Sequence, residues 1–402
     1  MKKAVIPMII IMVVGGCAQK DSAQSDSPVK ITTLIEENGG RVDWGTLGIV
    51  HSRYGEDGYY DMWIMNDDGS HGHCVTCDNP GISQLHNGQP AWHPSGEYIV
   101  FQSQDPLLPH NLREDYMLTQ PGHGKHNNLW ITDGEGTSFY QLTTIKENRA
   151  VLHPHFSHDG KKLVWSERIG DNPLDWAIIM ADFVETPHPH LENVKSYQPL
   201  GSVWYETHDF SPDDTKVLLT IGTKEEYSGF DIYEMDIETQ SMTQLTDNPD
   251  QWDEHAHYSP DGKKIVWASS HGYPYDPSKW QKSLKTELWI MDGDGSNKKR
   301  LTYFNEPGRS EYLGSAIAAD SSWSPDGGKV VVTVGTGNRE NTKIVLVEFT
   351  PEYLNRSIQR YIFNNSHTEG RCYPQHKLQW YETPIKTKWG SNKRGSQLYL
   401  VY

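Results

Sequence analysis

Four cysteines in 402 residues cannot staple a scaffold this size, so a packed core has to hold the chain. No long stretch carries the i, i+3, i+4 apolar spacing of an amphipathic helix, which argues against helix-based folds. No basic cluster of useful size interrupts a formal net charge of −17. Such a chain repels phosphate backbones and offers no polybasic membrane patch, so nucleic acid is excluded as a partner. There is no Gly-x-Ser-x-Gly elbow, Walker loop or dinucleotide fingerprint, and a serine hydrolase with its own catalytic domain is thereby disfavoured.

What the chain does have is 14 Trp, 21 Tyr, 35 Gly and 23 Pro, a mixture suited to short strands and tight turns. One unit recurs. Residues 252–267 (WDEHAHYSPDGKKIVW) join an aromatic-Ser-Pro-Asp-Gly turn to an alternating apolar strand. The turn half returns at 92–101 (WHPSGEYIVF), 156–165 (FSHDGKKLVW), 210–219 (FSPDDTKVLL) and 323–332 (WSPDGGKVVV). Spacings of 48 to 65 residues mark an array of similar modules.

Between the turns, runs such as LWITDGEGTSFYQLT and LWIMDGDGSNKKRLT add a third strand, an Asp-Gly hairpin and a fourth strand. Modules two and three span about 86–144 and 148–199; modules four, five and six begin near residues 203, 251 and 321. The inner strand of module one is obscure. Four strands per module predict an all-β, six-bladed β-propeller of four-stranded antiparallel blades, whose faces are buried by stacking in a ring. The tail runs KLQWYE and SQLYLVY are expected to close six blades, with a seventh blade as the alternative. The propeller is thus assigned to 31–402.

LWIMDGDGSNKKRLT and HYSPDGKKIVW resemble the repeats of TolB-type six-bladed propellers, over about 47–349. The resemblance implies the fold and little about function, since this repeat serves protein-binding scaffolds, peptidase gates and polysaccharide lyases alike.

The first 16 residues read as a leader: Lys2 and Lys3, an apolar run too short to span a bilayer, then Val14-Gly15-Gly16-Cys17. The end resembles the bacterial lipobox, implying acylation of Cys17; cleavage there removes Lys2 and Lys3 and takes the charge from −17 to −19. By resemblance to Gram-negative lipoproteins, Ala18 after the cysteine implies the outer membrane. Residues 17–30 are polar and Ser-rich, a lipidated flexible tether.

In a propeller the residues before each aromatic turn line one central mouth. Two positions before the turn stand Ala91, His155, Asp209, His257 and Ser322; four before stand Gln89, His153, Thr207, His255 and Asp320, and His208 lies between. A period of two sends both positions to the same side. The candidate metal ligands are therefore His153, His155, His208, His255 and His257, suited as neutral imidazoles to one zinc or manganese ion. Gln89, Glu206, Asp253, Glu254 and Asp320 flank them as ligand-binding candidates. Long second-to-third-strand loops bring His110, His123, His126, His271, Tyr116, Tyr273 and Tyr275 to the same face. Should the site be catalytic, His208, Glu254 and Tyr273 are the candidates. Leu152-His153-Pro154-His155 faintly resembles the His-x-His pair of oligogalacturonate lyases, although that family's glutamine three positions upstream is Ala150 here.

The run His71-Gly-His73-Cys74-Val-Thr-Cys77 reads as a zinc site or, outside the cytoplasm, as part of a disulfide. With Cys17 acylated, three cysteines remain; the favoured bridge joins Cys372 to blade one. Three functions follow from these readings. The first is a lipid-anchored propeller binding a ligand at a metal-bearing mouth. The others are a metal-assisted lyase of acidic polysaccharides and a non-catalytic scaffold for another envelope protein.

Overall fold

The computed structural model describes residues 27–350 apart from 224–227 and 338–340, and also 383–385 and 393–395. The leader, Cys17, most of the tether, Cys372 and the runs KLQWYE and SQLYLVY lie outside the described residues.

β1 (Val29–Ile35) is followed by β2 (Gly39–Gly45), β3 (Gly48–Tyr54), β4 (Tyr60–Met65) and β5 (His73–Cys74), the last four forming blade one. Blade two is β6 (Asn87–Trp92), β7 (Tyr98–Gln104), β8 (Asn127–Asp133) and β9 (Phe139–Gln141). Blade three is β10 (Ala150–Phe156), β11 (Lys162–Arg168), β12 (Trp176–Val184) and β13 (His190–Tyr197). Blade four is β14 (Trp204–Phe210), β15 (Lys216–Gly222), β16 (Phe230–Asp236) and β17 (Met242–Gln244). Blade five is β18 (Asp253–Tyr258), β19 (Lys264–Ser269), β20 (Glu287–Asp292) and β21 (Lys299–Arg300). Blade six is β22 (Ala316–Trp323), β23 (Lys329–Thr336), β24 (Asn341–Phe349) and, outermost, β1. The six-bladed propeller is thus confirmed among the described residues. A separate unit, Glu352–Tyr402, contains the antiparallel pair β25 (Thr383–Ile385) and β26 (Lys393–Gly395).

Two expectations are corrected here. The ring is joined by β1, whose Val29 pairs with Phe349 and Ile35 with Ile344; the strand begins inside the segment assigned to the tether. Blade one is complete without the tail, because the obscure inner strand is the glycine-rich β2, which has no Ser-Pro-Asp-Gly turn to announce it. The second correction concerns the cysteines. Cys74 and Cys77 are bonded to each other, so neither is available to Cys372 or, in this state, to zinc.

The recurring turn explains itself. In Ser259-Pro-Asp-Gly-Lys, Ser259 Oγ donates to Asp261 Oδ1 at 2.8 Å and accepts from Lys264 N at 3.0 Å, while Gly262 takes φ 69°. The same pattern recurs at Ser157, Ser211 and Ser324. The core lies in wedges between neighbouring blades; Val100, Leu129 and Ile131 of blade two meet Val151, Leu163 and Trp165 of blade three. No blade could bury these faces alone. Removing residues 29–35 would leave β24 an open edge, and we expect the thermal midpoint of the deletion variant to fall by roughly 5–10 °C, equivalent to about 3 kcal/mol, in a calorimetric scan.

Candidate metal centre

Each innermost strand carries one residue more than its partner can match. In β10, Leu152 pairs with Ser166 and His155 with Val164, three steps against two. The same slip occurs in β2, β6, β14, β18 and β22. The first unmatched residue round the ring is Gly40, Gln89, His153, His208, His255 and Ala319. Three of these adopt the left-handed conformation without being glycine: Gln89 (φ 48°), His153 (φ 49°) and His255 (φ 57°). That backbone costs about 1 kcal/mol or more per residue, and it aims the side chains at the axis.

His153, His208 and His255 meet there. Their ring centroids form a near-equilateral triangle of 5.4, 5.4 and 5.5 Å, and one nitrogen from each lies within 4.8 Å of the others. All three are buried, and burial pushes each imidazole below its ordinary value, His208 and His255 far below. They are neutral at physiological pH. His208 Nε2 meets Thr220 Oγ1 at 2.7 Å and the His255 amide at 3.3 Å. His208 Nδ1 and His255 Nδ1 are buried with no hydrogen-bond partner among the described residues.

The surroundings supply oxygen and one cation. Gln89 Oε1 accepts from the His153 amide at 2.8 Å and from Gln102, which forces Gln89 Nε2 to face His153 Nε2 at 3.0 Å as a donor. Glu206 Oε1 contacts the same nitrogen, so His153 Nε2 stands between a donor and an acceptor and no neutral tautomer satisfies both. Burial alone would push Glu206 up; the His153 contact, with the Arg41 guanidinium nearby, overrides it and holds the carboxyl down. Asp320 Oδ1 lies 3.6 Å from both His153 Nδ1 and His255 Nδ1, and Asp320 Oδ2 pairs with Arg41. Glu254 Oε2 is 3.4 Å from His255 Nε2.

Against His255 opens a cavity of about 210 Å³, which His153 and His208 do not line. Trp204, Phe230, Trp252 and Trp280 form one wall; Arg41, Glu206, Glu254, His255 and Asp320 lie on its polar side. Gly122 roofs Arg41, and any Cβ there would collide with the guanidinium. His123 also lines this cavity.

The structure divides the five expected histidines. His155 and His257 meet edge-on, ring centroids 5.4 Å apart, in a second chamber of about 290 Å³ on the Ser-Pro-Asp-Gly face, with Asp209 and Asp43. The alternation that was expected to keep them with His153 and His255 is broken by the extra residue. Burial lowers His257 to about 3 and raises Asp209 to about 7. Asp253 is buried away from the upper cavity, and burial raises it to about 6. His126 bonds the Pro109 carbonyl at 3.0 Å and accepts from Asn148 N at 3.1 Å, tying its loop to the next blade. His271 pairs with Gln251 at 2.7 Å. Tyr273 bonds Glu287 and Arg300, each at 3.3 Å, and His110 lies 3.4 Å from Asp115. None of these lines the upper cavity. Arg41, Trp204 and Thr220 had no role in the sequence reading; Arg41 went unseen because β2 lacks the repeat's turn.

No family model matches the chain. An uncharacterized protein of Agrobacterium fabrum is 27% identical over 221 residues, 53% of this chain and 57% of the relative. The chain therefore spans little more than half the length of that curated relative. Among solved structures, a TolB from Acinetobacter baumannii superposes with TM-score 0.47 at 18% identity, covering 77% of this chain and 63% of the other. Oligogalacturonate lyase in complex with manganese superposes with TM-score 0.46 at 12% identity, covering 82% of this chain and 95% of the other. Both the architecture and the site stated above rest on this chain's own pairing and side chains.

The left-handed backbone at His255 gives a direct test. Both His255→Gly and His255→Ala remove the imidazole, yet only glycine adopts φ 57° without strain. Urea unfolding is expected to show the glycine variant more stable than the alanine variant by about 1 kcal/mol.

Proposed function

We propose that this protein is an envelope-anchored β-propeller that holds one divalent ion, zinc or manganese, at His153, His208 and His255 and binds a small uncharged ring compound, of the sugar class, above it. The observation that carries this reading is the triad itself. Three neutral imidazoles from successive blades converge within 4.8 Å, two of them with a buried Nδ1 lacking a hydrogen-bond partner among the described residues. Such a set fits a three-histidine site with positions left open. His208 Nε2 accepts from the His255 amide and meets Thr220 Oγ1, and the two contacts fix the orientation of the ring. Glu206 and Asp320 would add oxygen.

The charges of the cavity favour a neutral ligand. Glu206, Glu254 and Asp320 face the single guanidinium of Arg41, already engaged by Asp320. A divalent ion would bring this group to formal neutrality and polarise a ligand oxygen; a uronate would add an uncompensated negative charge. The reading as a lyase of acidic polysaccharides is therefore the weaker one. Beside the charges, Trp204, whose indole N–H bonds Glu206 at 3.3 Å, and Trp280 offer an aromatic wall for a ring face.

Anchoring through Cys17 agrees with the topology. β1 runs antiparallel to β24 from Val29 beside Phe349, and the Phe349 amide bonds Gly328 of the Ser-Pro-Asp-Gly turn. Val29 therefore enters the propeller on the Ser-Pro-Asp-Gly face. Cys17→Ala is expected to abolish incorporation of labelled palmitate and to release the protein from the membrane fraction.

Elemental analysis of the purified full-length protein, after dialysis against zinc or manganese, should find about one ion per chain. His153→Ala, His208→Ala and His255→Ala should each weaken uptake more than about 100-fold in calorimetry, and His155→Ala less than about threefold. Because burial lowers the triad's imidazoles, they stay unprotonated as pH falls past the ordinary value. Uptake at about pH 6 should then match that at neutrality. A protein that takes up neither ion ends the proposal.

A further inference from the structure

We propose that Cys74 and Cys77 form a thiol–disulfide exchange site on the outer edge of blade one, with Cys77 as the sulfur attacked by an external dithiol and Asp61 as the proton donor to the departing Cys74. The bond closes a loop of sequence separation 3, the length that yields least stabilisation from restricting the unfolded chain. It is also accessible: Cys77 is exposed and Cys74 half-buried, beside the two-residue edge strand β5. Accessible disulfides are the labile ones.

The two sulfurs differ in surroundings. The Cys77 amide donates to Cys74 Sγ at 3.0 Å, so charge appearing on Cys74 meets an N–H already in place, while Cys77 faces solvent. A carboxylate oxygen of Asp61 lies within 4.8 Å of both sulfurs. Thr76 Oγ1 donates to Asp61 Oδ1 at 2.7 Å and holds it there. Burial, with Asp57 and Asp78 nearby, pushes the Asp61 carboxyl up from its ordinary value, which keeps more of it protonated.

The exchange balances. The dithiol's thiolate attacks Cys77 Sγ, the Cys74–Cys77 bond breaks, and its electron pair moves to Cys74 Sγ, which takes the Asp61 proton. The dithiol's second sulfur then attacks the mixed disulfide, releases Cys77 as thiolate and leaves the dithiol oxidised. Cys77 and Asp61 are reprotonated from water, so two electrons and two protons pass from the dithiol to the protein. The reverse run oxidises a dithiol.

The full-length protein would be treated with dithiothreitol, quenched with a maleimide and mapped by peptide mass, which separates this pair from Cys17 and Cys372. The expected result is reduction of Cys74–Cys77 with the circular dichroism of the fold unchanged. Cys74→Ser treated with oxidised glutathione should give a mixed disulfide at Cys77. Asp61→Asn, which keeps an acceptor for Thr76, should slow reduction about tenfold, the deficit shrinking as pH rises and Asp61 loses its proton. A disulfide reducible only when the propeller unfolds, or a Cys77 that forms no mixed disulfide, overturns the exchange site. An Asp61→Asn rate equal to wild type at every pH overturns the role of Asp61.

Discussion

Every innermost strand of the ring has to accommodate one more residue than the strand beside it, and the side chains around that residue leave the ordinary two-residue alternation. The rest of the centre depends on this. In blades three, four and five the first unmatched residue is a histidine; in blade two it is Gln89; in blades six and one it is Ala319 and Gly40. The two small residues matter as much as the histidines. They leave the wall open on that side, and the next residues, Asp320 and Arg41, fill the polar flank with an ion pair. A six-fold backbone thus carries a one-sided site.

The electrostatics follow from depth rather than from any single partner. Burial is the largest influence on each triad imidazole, and it opposes the charged form. Three imidazolium ions packed at these distances would repel one another as well. Glu206 goes the other way, held down by its contact with His153 and by the Arg41 guanidinium despite its burial. Neutral nitrogens beside ionised oxygens are what a divalent cation requires of its surroundings. The same atoms left without a cation include a frustrated His153 Nε2 and two buried Nδ1 atoms short of partners.

The propeller was legible because its signal is local. Ser259, Asp261 and Gly262 make their turn from within five residues, so each copy declares itself in the sequence. What the sequence could not show is long-range or conformational. β1 looks like the end of a tether until it is seen paired with β24 some 310 residues away. The grouping of His155 and His257 with the triad assumed a regular strand, and a bulge has no residue signature when His or Gln adopts the left-handed turn. His208 sits one position out of phase in the alignment because the bulge of β14 lies one residue nearer its turn. With that shift each of the three histidines is the first unmatched residue of its strand, although only His153 and His255 take the left-handed backbone. His126, His271 and Tyr273 had the right residue types on the right face, but their loops spend them on holding themselves.

The stretch 252–258 shows how tightly these demands are interleaved. Trp252 belongs to the aromatic wall, Asp253 is buried away from the cavity, and Glu254 and His255 line it. Ala256 is fully buried, His257 turns to the lower chamber, and the Tyr258 amide bonds Asp209 of blade four. Seven consecutive residues thus reach both chambers and two blades. Without the bulge, Glu254 and His257 would keep opposite parities, and His255 would share its side with Asp253 and His257. One inserted residue at His255 lets an acid and an imidazole that are neighbours in sequence face the same cavity. That geometry, not the abundance of histidine, makes the upper chamber a site, for the lower one is lined by four imidazoles and two acids.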